Sequence, residues 1–325
     1  MAALWGTAEG VCYLLLARRT ADEIQIAKSE WQEDHPTLGY WPKAGFTGRE
    51  RKWRGHETVY DVGYTFDEQH RRRSPLPPEA APDQFALFFG DSFTFGQGVE
   101  DGETLPSQFA AAAPAYRPYN YGCGGYGPQN LWVQVHRKAF AAEITETRGI
   151  AVYTFIEPQL LRATGSVRLR ALWGGRLPYL EPTDQGLVFR GLYEEVFPWR
   201  RRAARLIMSS QVVQYFKLDW PSEARPGDGQ YVARILAESA AQLKATFEEV
   251  HLFVLLYPSP HTSEDLLACL AQAGLTVLDY TRLFEEAPPP VPVALADGHP
   301  TGTAYGLVAE ALARDIARTA KAHGQ

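Results

Sequence analysis

Two short clusters in the sequence hold groups that can do chemistry together. The first is Gly90-Asp91-Ser92, inside FFGDSFTFGQGV at residues 88–99. An apolar run that passes straight into Gly-Asp-Ser sets a hydroxyl at the carboxyl end of a strand, where open α/β sheets hold their ligands. Gly90 permits the sharp turn, Asp91 can stiffen it through side-chain to backbone bonds, and the Ser92 N–H points at the same space. Ser92 is the candidate nucleophile; the same three residues also read as an Asx turn that caps the following helix. A serine is a weak nucleophile at neutral pH and needs a base within hydrogen-bond reach, held in turn by a third group. The second cluster supplies both. In ADGHPTGTAYGLVAEAL, residues 296–312, Asp297 and His299 stand two apart ahead of Pro300 and an apolar helix. His299 would take the Ser92 proton, and Asp297 would hold its imidazole in the required tautomer.

These groups need a scaffold that brings residues 92 and 299 together. From about residue 83 apolar strands alternate with helices, the mark of an α/β domain with a mostly parallel sheet. The strand candidates are residues 85–90, 116–122, 149–156, 250–257 and 275–280, and helices are expected over 128–147, 229–247, 263–273 and 302–321. An insertion at 164–199, rich in Gly, Pro and aromatics, contains LPYLEPTDQGLVFRG, which reads as a hairpin at the mouth of the sheet. Ahead of the domain, residues 36–82 read as a small β-rich element with a strand at 57–66, the basic run HRRRS and the stiff linker PLPPEAAP. Residues 1–35 read as an N-terminal helical segment. Its start, AALWGTAEGVCYLLLA, is apolar and ends against Arg18 and Arg19, which reads either as an amphipathic helix packed on the domain or as the tail of a membrane anchor.

Taken in order, the blocks resemble the SGNH/GDSL hydrolase superfamily: GDSFTFG for the first block, NYGCGGYG (residues 120–127) for the second and DGHPTGTAYG for the last. The resemblance covers roughly residues 83–321. It implies a three-layer flavodoxin-like fold and acyl chemistry on oxygen, with Ser92 as nucleophile, His299 as general base, Asp297 as its orienter and Gly125 as an oxyanion donor beside the Ser92 N–H. The Asp-x-His spacing is shorter than the usual Asp-x-x-His and is similar to that of alginate-acetylation-type relatives. The element at 57–73 resembles one that precedes the catalytic domain in membrane-anchored bacterial members, which implies a tethered, extracytoplasmic protein. The third block departs from the family. Where Gly-x-Asn-Asp is usual, this chain has Glu157, Pro158 and Gln159. An ionised Glu157 only accepts, whereas an amide donates, so Gln159 is the expected third oxyanion donor, with Asn130 in reserve.

Composition narrows the function further. With 45% hydrophobic residues over 325, the chain can bury a large core. A net charge of −6 gives no general attraction to phosphate backbones, so nucleic acid is not an expected partner. Cys12, Cys123 and Cys269 form neither a CxxC pair nor a disulfide framework; Cys123 reads as a small buried residue, and WRRR at 199–202 reads as a solvated helix face. No phosphate loop or metal-ligand spacing is present, so no cofactor and no metal are expected. The expected activity is hydrolysis of carboxylic esters through an acyl-enzyme, on a small acyl ester or an acylated glycan. Transfer of the acyl group to a glycan hydroxyl, or a catalytically inactive binding module, are the alternatives.

Overall fold

The computed structural model describes residues 2–19, 24–258, 264–285 and 292–323. After helix Ala2–Arg19 the chain builds strands, where a continued helix was expected for residues 20–35: β1 (Ile24–Lys28), β2 (Gln32–His35), β3 (Gly39–Pro42), β4 (Thr47–Arg54) and β5 (Glu57–Thr65). Residues 20–23 lie outside the described residues. The alternation Ile24-Gln25-Ile26 fits a strand, and antiparallel pairing of β1 with β4, from Ile24 opposite Arg54 to Lys28 opposite Glu50, overrides the helical propensity of the segment. β4 pairs in turn with β5, while β2 and β3 form a separate hairpin.

This β element shares its core with the domain that follows. Trp31, Leu38, Tyr40, Tyr64 and Phe66 are buried in one cluster with Phe85, Leu87, Phe89 and Phe95. Trp31 stacks on both Phe66 and Phe95, with ring centroids 5.4 and 5.0 Å away, and those two rings lie 6.1 Å from each other. Burying each large apolar side chain contributes roughly 1.5–3 kcal/mol, so several rings together hold the two parts as one body. The basic run before the proline stretch is also drawn inside. Arg72 is fully buried and donates to the carbonyls of Phe95, Gly96 and Val99 and, at 2.9 Å, to Asp101 Oδ1.

The central sheet is built from β6 (Gln84–Phe89), β7 (Tyr116–Asn120) and β8 (Arg148–Phe155). The inserted hairpin of β9 (Pro178–Thr183) and β10 (Gly186–Leu192) follows, then β11 (Glu249–Leu256) and β12 (Thr276–Asp279) complete the sheet. Five strands lie parallel in the order β12-β11-β8-β6-β7. Counted within the domain this is 2-1-3-4-5, the flavodoxin-like doubly wound order, whose switch point lies between β6 and β8. Both sheet faces are covered, which is why QFALFF is apolar throughout and does not alternate. Ala86 and Phe88 pack with Phe109, Tyr305, Val308 and Leu312 on one side, and Phe85, Leu87 and Phe89 with Leu131, Val232 and Leu236 on the other. The helix expected over 128–147 stops at Val135, and a separate turn at Phe140–Glu143 brings Phe140 against Phe89, Tyr121 and Phe247. Helices Asp228–Thr246, Glu264–Gln272 and Gly302–His323 stand where the periodicity predicts them.

Trp199, Arg200 and Arg202 are exposed on helix Pro198–Met208. Among the described residues no helix is long and apolar enough to cross a membrane. Helix Ala2–Arg19 lies on the protein, with Glu9 accepting from the Gln211 N–H at 2.6 Å.

Candidate active site

β6 ends at Phe89, and the next three residues turn the chain into helix Ser92–Phe95. Gly90 has φ +146°, and a Cβ there would stand 2.3 Å from Thr94 Oγ1 and 3.0 Å from the Thr154 carbonyl, so only glycine fits. Asp91 caps the helix by accepting from the Phe93 N–H at 3.0 Å. The Asx turn is therefore present, and it sets Ser92 at the carboxyl end of β6. His299 Nε2 lies 3.0 Å from Ser92 Oγ, and His299 Nδ1 lies 2.9 Å from Asp297 Oδ2. Asp297 Oδ1 accepts from the His299 backbone N–H at 3.2 Å, so the two-residue spacing is closed by the carboxylate gripping both ends of the histidine. The loop is braced further by the Leu295 N–H, which donates to the His299 carbonyl at 2.7 Å.

The second block runs beside this turn. Tyr121 N–H donates to the Phe88 carbonyl at 2.8 Å and Cys123 N–H to the Gly90 carbonyl at 3.3 Å, which ties residues 120–127 to the end of β6. Gly125 has φ +84°, and a Cβ there would meet Tyr40 Oη at 2.7 Å and Trp173 at 2.9 Å. Tyr40, from β3, donates to the Gly124 carbonyl at 2.8 Å. No backbone hydrogen bond among the described residues engages the N–H of Ser92 or of Gly125. A parallel 2-1-3-4-5 sheet, a serine elbow after its first strand and an Asp-His pair before its last helix now stand together.

The fold is the flavodoxin-like α/β fold that the SGNH/GDSL resemblance implies.

No family model matches the sequence, and neither does any curated protein. Solved structures similar to this one include a member of the lipolytic G-D-S-L family from Veillonella parvula, at 16% identity and TM-score 0.40, covering 70% of this chain and 96% of that one. The acetyl xylan esterase Est2A from Butyrivibrio proteoclasticus is 11% identical, with TM-score 0.42 and 84% and 74% covered. A Corynascus thermopiles carbohydrate esterase family 2 enzyme with its carbohydrate binding domain is 13% identical, with TM-score 0.42 and 91% and 86% covered.

Of the SGNH blocks, the third is where the sequence expectation needs correcting. Gln159 has no exposed surface; its amide donates to the Thr154 carbonyl at 3.1 Å and its Oε1 accepts from the Tyr153 hydroxyl. Asn130, the reserve, donates to the Leu38 carbonyl at 3.3 Å and accepts from the Gly127 N–H at 3.0 Å. Both amides satisfy buried backbone, a demand stronger than any an apo oxyanion site makes.

Two charged residues that the sequence reading passed over join the site. Arg162, on helix Pro158–Thr164, donates through Nη1 to buried Asp91 and, at 3.1 Å, to the Tyr126 carbonyl. It braces the serine elbow against the second block. Lys52, on β4, donates through Nζ to Asp297 Oδ2 at 2.6 Å. Burial by itself raises the Asp297 carboxyl, but the hydrogen bonds from His299 and Lys52 outweigh it and hold the group well below the ordinary carboxylate range. Burial also pushes the Cys123 thiol up to about 12, which leaves it a small inert core residue.

A cavity of about 680 Å³ is a separate space beside the insertion; Arg170, Tyr179, Tyr193 and Trp220 line it, and neither Ser92 nor His299 does. Among the described residues no group of three His, Cys, Asp or Glu side chains gathers as a metal site would require.

Proposed function

We propose that the chain is a serine esterase acting on carboxylic esters, with Ser92, His299 and Asp297 as its triad. The line from Ser92 Oγ to His299 Nε2 at 3.0 Å, continued from Nδ1 to Asp297 at 2.9 Å, carries the reading. Ser92 Oγ attacks the ester carbonyl carbon while its proton passes to His299 Nε2. The carbonyl oxygen becomes an oxyanion, which the N–H groups of Ser92 and Gly125 receive. Collapse breaks the bond to the leaving alkoxide, which takes the proton from His299, and an acyl-Ser92 ester remains. Water, deprotonated by His299, then attacks the acyl carbon and releases the carboxylic acid, restoring Ser92. A sugar hydroxyl in place of that water makes the same machinery a transferase.

An acylated glycan is the favoured substrate class. Trp173, in the insertion, is 38% exposed and its ring lies against Gly125, so a flat apolar face stands beside the oxyanion donors where a sugar ring can stack. Turnover of p-nitrophenyl acetate and of acetylated xylo-oligosaccharides, with Ser92→Ala, His299→Ala and Trp173→Ala variants, tests the reading. Ser92→Ala and His299→Ala are expected to lose about 10⁴-fold or more in kcat with the fold intact, because the triad acts as a unit. Trp173→Ala is expected to raise KM for the oligosaccharide and leave that for the small ester unchanged. Retained turnover in either triad variant refutes the mechanism. A wild-type protein with no burst and no turnover identifies an inactive binding module.

A further inference from the structure

Lys52 reaches the triad from outside the sheet that carries it. It stands on β4, 245 positions from Asp297 in sequence, and both side chains are nearly enclosed, 8% and 3% exposed. Its ammonium and the His299 imidazole share one carboxylate oxygen, Oδ2, while Oδ1 is held by the His299 backbone. The ammonium is itself fixed in place. It lies over the Tyr60 ring, 5.2 Å from the centroid, and the Tyr60 hydroxyl donates to buried Glu50, which also accepts from Gln97 Nε2 at 3.4 Å. Arg54, two residues on, donates to the Ala296 carbonyl at 3.1 Å, so β4 grips the Asp297 loop twice.

We propose that Lys52 is a positioning residue of the triad: its ammonium orients Asp297 and disfavours a protonated His299, so that Ser92 stays usable in more acid solution. The proposal rests on the triad reading above. The physical reason is competition for one oxygen. When His299 takes a proton, the imidazolium faces a carboxylate already half-neutralised by Lys52, and a second cation stands on the far side of that carboxylate. The groups facing His299 are Ser92, Asp297 and the Phe93 ring; those facing Lys52 are Asp297, Tyr60 and, behind it, Glu50. Glu50 is engaged by Tyr60 and Gln97, so the charge nearest to the triad that can act on His299 through Asp297 is that of Lys52. Two like charges a few ångström apart in a partly buried site repel by the equivalent of about one pH unit or more.

The test uses the whole chain and two readouts as functions of pH: hydrolysis of p-nitrophenyl acetate, and the rate at which a fluorophosphonate labels Ser92. Wild type is compared with Lys52→Arg, which keeps the charge, and Lys52→Gln, which keeps a donor but no charge. In Lys52→Gln the acid limb of both profiles is expected to move up by about one pH unit, with kcat lowered about tenfold and KM nearly unchanged. Lys52→Arg is expected to restore the position of the limb. A Lys52→Gln protein that folds and loses rate while its limb stays in place overturns the proposal, and so does one identical to wild type. Should the Gln variant not fold, an unmoved limb in Lys52→Arg together with a normal limb in Lys52→Met serves as the refutation. A wild-type protein that neither hydrolyses the ester nor labels at Ser92 overturns the triad itself, and this role with it.

Discussion

Replacing Arg162 with methionine strands a carboxylate in the interior. Asp91 has no exposed surface, and only 13% of the Arg162 side chain is exposed, so the pair is little screened by solvent. Without Arg162, Asp91 keeps the Phe93 N–H and has no counter-charge. Removing one partner of such a buried pair costs about 3–5 kcal/mol. Unfolding entropy near ~2.1 cal/mol/K per residue, over a chain of this length, is ~0.7 kcal/mol/K, so the expected loss in Tm is about 4–7 °C. Activity is expected to fall as well. Arg162 joins the elbow that carries the Ser92 N–H to the loop that carries the Gly125 N–H, and misplacing one oxyanion donor lowers kcat about 10²–10³-fold. Thermal unfolding followed by circular dichroism, with ester turnover on the same samples, measures both. The double variant Asp91→Asn/Arg162→Met, whose buried amide needs no cation, is expected to recover most of the Tm loss. A single Arg162→Met protein with wild-type Tm refutes the reasoning.

Gly125→Ala is expected to lower kcat about a hundredfold with little change in KM, because the new Cβ meets Tyr40 Oη at 2.7 Å and displaces the N–H; steady-state kinetics check it. Asp297→Asn is expected to lower kcat about 10⁴-fold by presenting the wrong partner to the imidazole. In unfolding measurements against pH, its deficit relative to wild type should be constant from neutral to about pH 4 and shrink below that. The folded carboxyl is held below its unfolded value, so its contribution is complete above the unfolded value and is lost as pH falls through the folded one. Iodoacetamide at neutral pH is expected to leave Cys123 unmodified in the native protein and to modify it in urea, as peptide mass spectrometry will report.

The parts of the site legible in the sequence are those whose geometry is local. Gly90-Asp91-Ser92 announces itself because a strand, a turn and a helix cap follow in order, and Asp297 and His299 lie close enough to close one ring. Lys52 and Arg162 stayed hidden because each meets its carboxylate across two elements whose packing no spacing encodes. Gln159 misled for a related reason: its chemistry suits an oxyanion, yet the Thr154 carbonyl and Tyr153 hydroxyl next to it in the fold claim both ends of the amide. In the fold, the parallel sheet and its helices were readable from alternating periodicities. Residues 24–28 were misread as helix because their pairing partner on β4 lies 22 to 30 residues downstream, and residues 32–35 because they pair back on β3.

Arg72 sets an order of assembly. A growing chain emerges N-terminus first, so this guanidinium leaves the ribosome before any of its acceptors at Phe95, Gly96, Val99 and Asp101 exists. Alone it stays in water, since burying an unpaired cation costs several kcal/mol. The β element therefore cannot close over its own end and waits for the segment that carries Ser92. When that segment arrives, its carbonyls find a donor already in place, and the two halves become native together. The same tie runs backwards in the finished protein: peeling residues 70–73 away strips the loop after Ser92 of the donor its carbonyls at Phe95, Gly96 and Val99 share.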